Sequence, residues 1–327
     1  MPRKVDAEDL QVRTESDLAN DPLAGVTITI ADGDTTAPLA EQSDGIRALS
    51  VLAVLSMKQR SARIIAIDEP EIHLHAAAQR TIGASLASSS AQRCIATHSA
   101  AIVSQMNPMD IVAFGADHRA HQLPVGAPIA ETEVVTRHWS ARLLEPLTAR
   151  CIIFVEGPAD RIILHRLAVL AGLNLDRVGA VVFELDGAGF FGTAYQFFGP
   201  AGFDLPVVGM LDEDSRATWA GVIGIDPSNI EESGFFVCDP DLEGMYVKEL
   251  GYQRVLEMLI SASFTERQIL GGCNVADVGL VTHELIVDYC RHKRRKVRAA
   301  LAVSQELVNP EEQEFEAVLS LLQRVVG

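Results

Sequence analysis

Short unbroken apolar runs alternate along this chain with longer stretches whose apolar residues recur at helical spacing. Val26-Thr27-Ile28-Thr29-Ile30 alternates apolar and polar residues as a half-buried strand does, and Ala31-Asp32-Gly33-Asp34 closes it with turn residues. A helix is predicted over 46–57, a buried strand over 63–67, a helix over 76–88 and a strand over 94–97. Polar segments containing Pro and Gly interrupt the pattern between about Gly115 and Thr148, and the alternation then restarts. Strands are predicted at 151–155, 180–185, 206–211 and 235–238, with a helix over 158–171 after the first. From Leu242 the chain reads as mostly helical, including 282–291 and 311–325. Strands and helices in this order predict an α/β fold built on largely parallel sheets.

The length of 327 residues suits two domains. The boundaries expected are a poorly ordered segment over 1–24, one α/β domain over 25–140, and a second over 148–327 with helices at its end. No apolar run is long enough for a membrane span, and the N-terminus has no apolar stretch of the signal-peptide kind, which points to a cytoplasmic protein. Cys94, Cys151, Cys238, Cys273 and Cys290 are odd in number and scattered, and read as buried thiols rather than disulfides or a zinc site. The net charge of −17 weighs against a protein that grips nucleic acid by phosphate neutralisation alone. One dense basic run, Arg291, Lys293, Arg294, Arg295, Lys296 and Arg298, stands against it. That run reads equally well as a solvated helix face or as a phosphate-binding patch.

In the first half, Ile64-Ile65-Ala66-Ile67-Asp68-Glu69 is a strand ending in two acids, placed to hold a metal-bound water and to polarise water attacking ATP. Glu71-Ile72-His73-Leu74-His75 follows, and Thr97-His98-Ser99 ends the next strand. With Ser43-Asp44-Gly45 ahead of a helix, this order resembles the ABC ATPase superfamily. The resemblance makes Ser43 to Gly45 the signature loop, Ile64 to Glu69 the Walker B strand and His98 the switch histidine. The chain departs from the pattern in one respect, since no G-x-x-x-x-G-K-[ST] loop occurs in it. The first half is therefore expected to be the C-terminal part of such an ATPase, without intrinsic ATPase activity. A miscalled start, or a loop supplied by another polypeptide, accounts equally for the missing piece.

In the second half, Glu156 follows one predicted strand, and Gly157 and Pro158 lead into a helix whose first turn carries Asp160. Asp212 and Asp214 end another strand, and Asp239, Asp241 and Glu243 follow a third. Carboxylates on three strand ends of one sheet repel one another unless divalent cations lie between them. Oxygen ligands in this number suit two Mg²⁺ or Mn²⁺ ions. The pattern Glu156-Gly157-x-x-Asp160, then Asp212-x-Asp214, is similar to the Toprim domain. An ATPase half feeding into a Toprim domain resembles the OLD (overcoming lysogenization defect) family of nucleases, which includes the nuclease subunit of the Gabija phage-defence system. The resemblance implies two-metal cleavage of DNA, with Glu156, Asp160, Asp212, Asp214 and Glu243 as ligands, directly or through water. It also implies a late lysine near the scissile phosphate, for which Lys296 fits best and Lys293 is the alternative. Asp241 stands as an alternative to Glu243, and Gly187 and Gly189 match a position where backbone nears the metals.

These readings predict a metal-dependent DNA endonuclease, in phage defence or DNA repair. None of the four tyrosines (Tyr195, Tyr246, Tyr252, Tyr289) is placed as a covalent nucleophile, which favours hydrolysis. A non-catalytic regulatory or docking module is the alternative, as is a subunit gated by ATP when a separate Walker A lobe completes it. Expected partners are DNA, a second copy through the ATPase-like half, and a separate ATPase lobe or helicase-type protein. Phe190, Phe191, Tyr195, Phe197 and Phe198 are read as core rather than as base-stacking residues.

Overall fold

Eleven strands and the helices between them appear in the computed structural model, among the described residues 10–14, 26–32, 35–42, 46, 50, 64–88, 92–115, 118–127, 139, 142–262, 264–308 and 315–326. The chain divides into two units, Met1–Pro108 with Thr136–Leu144, and Met109–Val135 with Glu145–Gly327. The architecture is mixed α/β.

In the first unit, β1 (Leu10–Thr14), β2 (Val26–Asp32) and β3 (Thr35–Pro38) form an antiparallel sheet in sequential order. β1 lies inside the segment expected to lack regular structure. β4 (Ile64–Asp68) and β5 (Gln92–Ala96) pair in parallel, joined by α1 (Ala76–Ala87). The His75 side chain caps α1 by accepting from Ala78 N. Most of the helix predicted over 46–57 lies outside the described residues, as do Ser43, Asp44 and Gly45.

The second unit holds a short antiparallel hairpin, β6 (Val112–Phe114) with β7 (Ala120–Gln122), and a four-stranded sheet. That sheet comprises β8 (Cys151–Val155), β9 (Ala180–Glu184), β10 (Val207–Asp212) and β11 (Phe235–Cys238), ordered β11-β10-β8-β9 and parallel throughout. Its strands are buried on both faces, which is why they read as unbroken apolar runs. On one face Ile153, Val155, Val208 and Met210 join the core made with α2 (Pro158–Leu170) and the later helices. The other face is aromatic. Phe154, Phe183 and Phe235 meet Phe191 and Phe198 of α3 (Phe191–Phe198) and Trp219 of α4 (Arg216–Ile223). The Trp219 and Phe191 rings stack 3.8 Å apart at 4°. Phe191, Phe197 and Phe198 are buried, so these aromatics serve the core.

Beyond the sheet come α5 (Leu242–Leu250), α6 (Tyr252–Ala262), α7 (Glu266–Cys273), α8 (His283–Arg291), α9 (Lys296–Glu306) and α10 (Glu316–Val326). α9 packs along α2 and α6. Of the five free thiols, Cys238, Cys273 and Cys290 are buried, Cys151 is half-buried, and Cys94 is exposed, contrary to the expectation for it. Among the described residues no helix is long and apolar enough to cross a membrane.

Candidate metal centre

In a parallel sheet all the C-terminal strand ends share one edge, and the helices that follow begin there. Glu156 follows β8 directly, Asp160 lies in the first turn of α2, Asp212 ends β10, and Asp241 caps α5, in whose first turn Glu243 lies. α9 brings Lys296, its first residue, to the same edge by packing on α2.

Hydrogen bonds hold these groups in place. Asp160 Oδ2 accepts from Gly157 N at 2.8 Å, fixing the carboxylate against the start of its own helix. Asp212 Oδ1 accepts from Leu242 N at 3.1 Å, tying β10 to the start of α5. Glu156 Oε1 lies 3.5 Å from Asp212 N and 3.0 Å from the Ser215 hydroxyl. The same hydroxyl lies 3.2 Å from Asp214 Oδ1, and its single proton serves one carboxylate at a time. Glu243 is fully buried. Its Oε2 pairs with Lys296 Nζ at 3.2 Å, and its Oε1 has no hydrogen-bond partner.

The electrostatics follow from burying so many like charges. Burial pushes Asp212 up to about 8, with the Glu156 charge adding and Lys296 opposing. Burial likewise pushes Glu243 to about 7 and Asp160 to about 6, each against the pull of Lys296. Burial alone would lower Lys296, but Glu243, Asp160 and Asp212 together carry it above the ordinary lysine range. In the metal-free chain one ammonium thus sits among more negative charge than it can balance.

An oxygen-only donor set short of positive charge fits a hard divalent cation. The orphaned Glu243 Oε1 is a ligand atom that the protein itself leaves unsatisfied. Among the described residues no three acids or imidazoles are already gathered closely enough to form a coordination shell, so the carboxylates would have to close around an ion.

Glu156, Asp160, Asp212, Glu243 and Lys296 are thus brought together, whereas Asp214 sits exposed at the rim, linked through Ser215. Asp241 is engaged otherwise, accepting from Gly244 N at 2.7 Å and pairing with Arg291. Lys293 is exposed on the turn before α9. Gly187, at φ 124°, donates its N–H to Glu156 O at 3.0 Å, and Gly189 has open space around it. Gly157 has φ −167°, an extended conformation open to any residue, so the bend there does not require glycine. Ser215 went unremarked in the sequence because a hydroxyl beside two acids is commonplace.

In the first unit, Asp68 ends β4 and Glu69 follows it with φ 44°, both exposed. Glu71, missed as a functional residue, accepts from Thr97 Oγ1 at 2.7 Å and His98 N at 2.6 Å. It fastens the loop after β4 to the loop after β5. Ser43 and Gly45 lie outside the described residues.

Comparison with known proteins fits this division. Residues 1–104 match the family described as "AAA domain, putative AbiEii toxin, Type IV TA system". Residues 147–214 match the family described as "Overcoming lysogenization defect protein-like, TOPRIM domain". No curated protein matches the chain. Among solved structures, the C-terminal region of the Burkholderia pseudomallei OLD protein is similar at 24% identity and a TM-score of 0.42, over 54% of this chain and 97% of that one. The C-terminal region of the Xanthomonas campestris pv. campestris OLD protein is similar at 21% identity and 0.43, over 55% and 96%.

Proposed function

We propose that this chain, whose AAA-type segment and OLD-like Toprim domain give it the ATPase–Toprim architecture of the OLD family, is a divalent-metal-dependent DNA endonuclease. The observation that carries the reading is the convergence of Glu156, Asp160, Asp212 and Glu243 on one sheet edge around a single ammonium, with Glu243 Oε1 left unpartnered. The Toprim match supports a nuclease-type function.

Two Mg²⁺ or Mn²⁺ ions held by Glu156, Asp160, Asp212 and Glu243, with Asp214 at the rim, would stabilise the charge on the attacking and leaving oxygens of an in-line phosphodiester hydrolysis. The protein's own groups do the rest. Ser215 orients Glu156, Gly157 N orients Asp160, and Leu242 N orients Asp212, which limits how far each carboxylate would have to move to close around an ion. With Glu243 engaged by a metal, Lys296 would be free to offer its ammonium to a phosphate oxygen whose charge grows during displacement.

Incubation with supercoiled plasmid in Mg²⁺, Mn²⁺ or chelator tests this. Nicking or linearisation is expected only with metal, and Asp212→Ala or Glu156→Ala is expected to reduce it by about a hundredfold or more while leaving the fold intact. Unchanged cutting by both variants would overturn the site. No cutting by the natural chain under either metal would favour the regulatory module instead.

The first unit supports a second, narrower reading. Asp68 and Glu69 at the end of β4 and His98 after β5 would supply one half of an ATP site, but the sequence carries no phosphate-cradling loop. ATP turnover is therefore expected only when a separate Walker A lobe is supplied. Hydrolysis by the chain alone that Glu69→Gln abolishes would refute this.

A further inference from the structure

We propose that Lys293 and Arg294, on the turn between α8 and α9, grip backbone phosphates of the DNA strand beside the cleaved position. This rests on the nuclease reading above. The sequence offers six cations in this run, and the structure uses four of them internally. Arg291 pairs with Asp241 and, at 3.3 Å, with Asp288. The Arg295 guanidinium lies 4.0 Å over the Tyr289 ring, where a side-chain carbon on Gly272 would collide with it. Arg298 lies 4.2 Å over the Phe264 ring. Lys296 points into the carboxylates. Lys293 and Arg294 remain, both exposed, with no carboxylate partner for either among the described residues.

Their position gives this remainder meaning. Arg295 N and Lys296 N both donate to His292 O, at 2.7 and 2.9 Å, so the turn is closed and its two outward side chains are held just ahead of Lys296. At about 3.8 Å between successive Cα atoms, neither lies more than about 12 Å of chain from the residue that reaches the metal centre. That distance spans the phosphates next to the one being cut. These neighbours need the help. The chain carries a net charge of −17, and cations at the metal centre compensate only the phosphate they touch. Two other cations near the site are engaged with carboxylates: Arg161 of α2 with Glu184 at 2.6 Å, and Arg216 of α4 with Glu213 at 2.9 Å.

The test is fluorescence anisotropy of a labelled DNA duplex with the full chain, in Ca²⁺ to hold the complex without turnover, across a series of salt concentrations. Each phosphate contact contributes about 0.9 to the slope of log affinity against log salt. Lys293→Ala with Arg294→Ala should therefore flatten the slope by about 2 and weaken binding by roughly tenfold, while Lys293→Arg with Arg294→Lys restores both. Their exposure predicts an unchanged melting temperature for either double variant. An unaltered slope and affinity in the alanine variant, or no duplex binding by the natural chain, would overturn the proposal. Failure of the nuclease reading looks different: the natural chain would fail to cut plasmid in Mg²⁺ or Mn²⁺, whatever its salt slope.

Discussion

Glu243 and Lys296 form a pair that is useful but unfinished. The carboxylate is fully buried and the ammonium satisfies only one of its oxygens. Removing one partner of such a pair costs more than the pair contributes, because the other charge is left without compensation. Lys296→Met should therefore destabilise the metal-free chain by roughly 1–3 kcal/mol at pH 8. The cost should shrink near pH 6, where Glu243, pushed up to about 7, takes up a proton. Chemical denaturation at the two pH values checks this, and equal losses at both would count against the ion pair. Ser215→Ala removes the hydroxyl that aims Glu156 without removing a ligand, so the metal concentration for half-maximal cleavage should rise by about 10- to 100-fold. Much of this was legible beforehand. Glu156, Asp160 and Asp212 stand where an apolar run stops and a helix begins, a position that sequence marks directly. The choice between Asp241 and Glu243 was not legible, since it depends on which carboxylate is used as a helix cap and which is buried facing Lys296.

At the level of elements, the carboxylates meet only because β8, β10 and β11 lie side by side in parallel register. Gly209, in β10, pairs with Phe154 on one side and Phe235 on the other. A Cβ there would fall 2.9 Å from Phe235 Cδ1 and 3.0 Å from Phe154 O, and the backbone oxygen cannot easily give way. Gly209→Ala is expected to cost about 1–3 kcal/mol and to lower the denaturation midpoint; a shift under about 0.5 kcal/mol would show that the strands can part there without strain. The sequence places the four strands of this sheet to within a residue or so, because strands covered on both faces are continuous apolar runs. It does not reveal β1, β3, β6 and β7, which are short and mixed in polarity, nor the antiparallel sheet of the first unit. Such strands are specified by their neighbours more than by their own periodicity.

Across the whole molecule, the surplus of buried negative charge makes stability depend on pH in the absence of metal. The folded forms of Asp160, Glu243 and Asp212 hold protons up to about 6, 7 and 8, while unfolded carboxyls release theirs near 4. Between about pH 4 and pH 8 these three acids therefore bind more protons in the folded chain than in the unfolded one, and their contribution to stability falls as pH rises through that window. The melting temperature of the metal-free protein should decline over this range, and Mn²⁺ should flatten the decline by supplying the missing charge. A metal-free melting temperature that rises from pH 5 to pH 8 would contradict the burial of these acids. The same argument reconciles a strongly acidic chain with the nucleic-acid substrate proposed for it, because part of that charge would be a demand for cations.

The stacked Trp219 and Phe191 rings give the protein an optical consequence. The chain has two tryptophans, and Trp219 lies on the helix that starts directly after Asp212, Glu213, Asp214 and Ser215. Closing of those acids around an ion would pull on α4 and shift the indole against its neighbouring ring. With Trp139→Phe leaving a single emitter, the intrinsic emission of Trp219 should follow metal occupancy in a stopped-flow trace, timing the closure of the site without a label, a substrate or a cut.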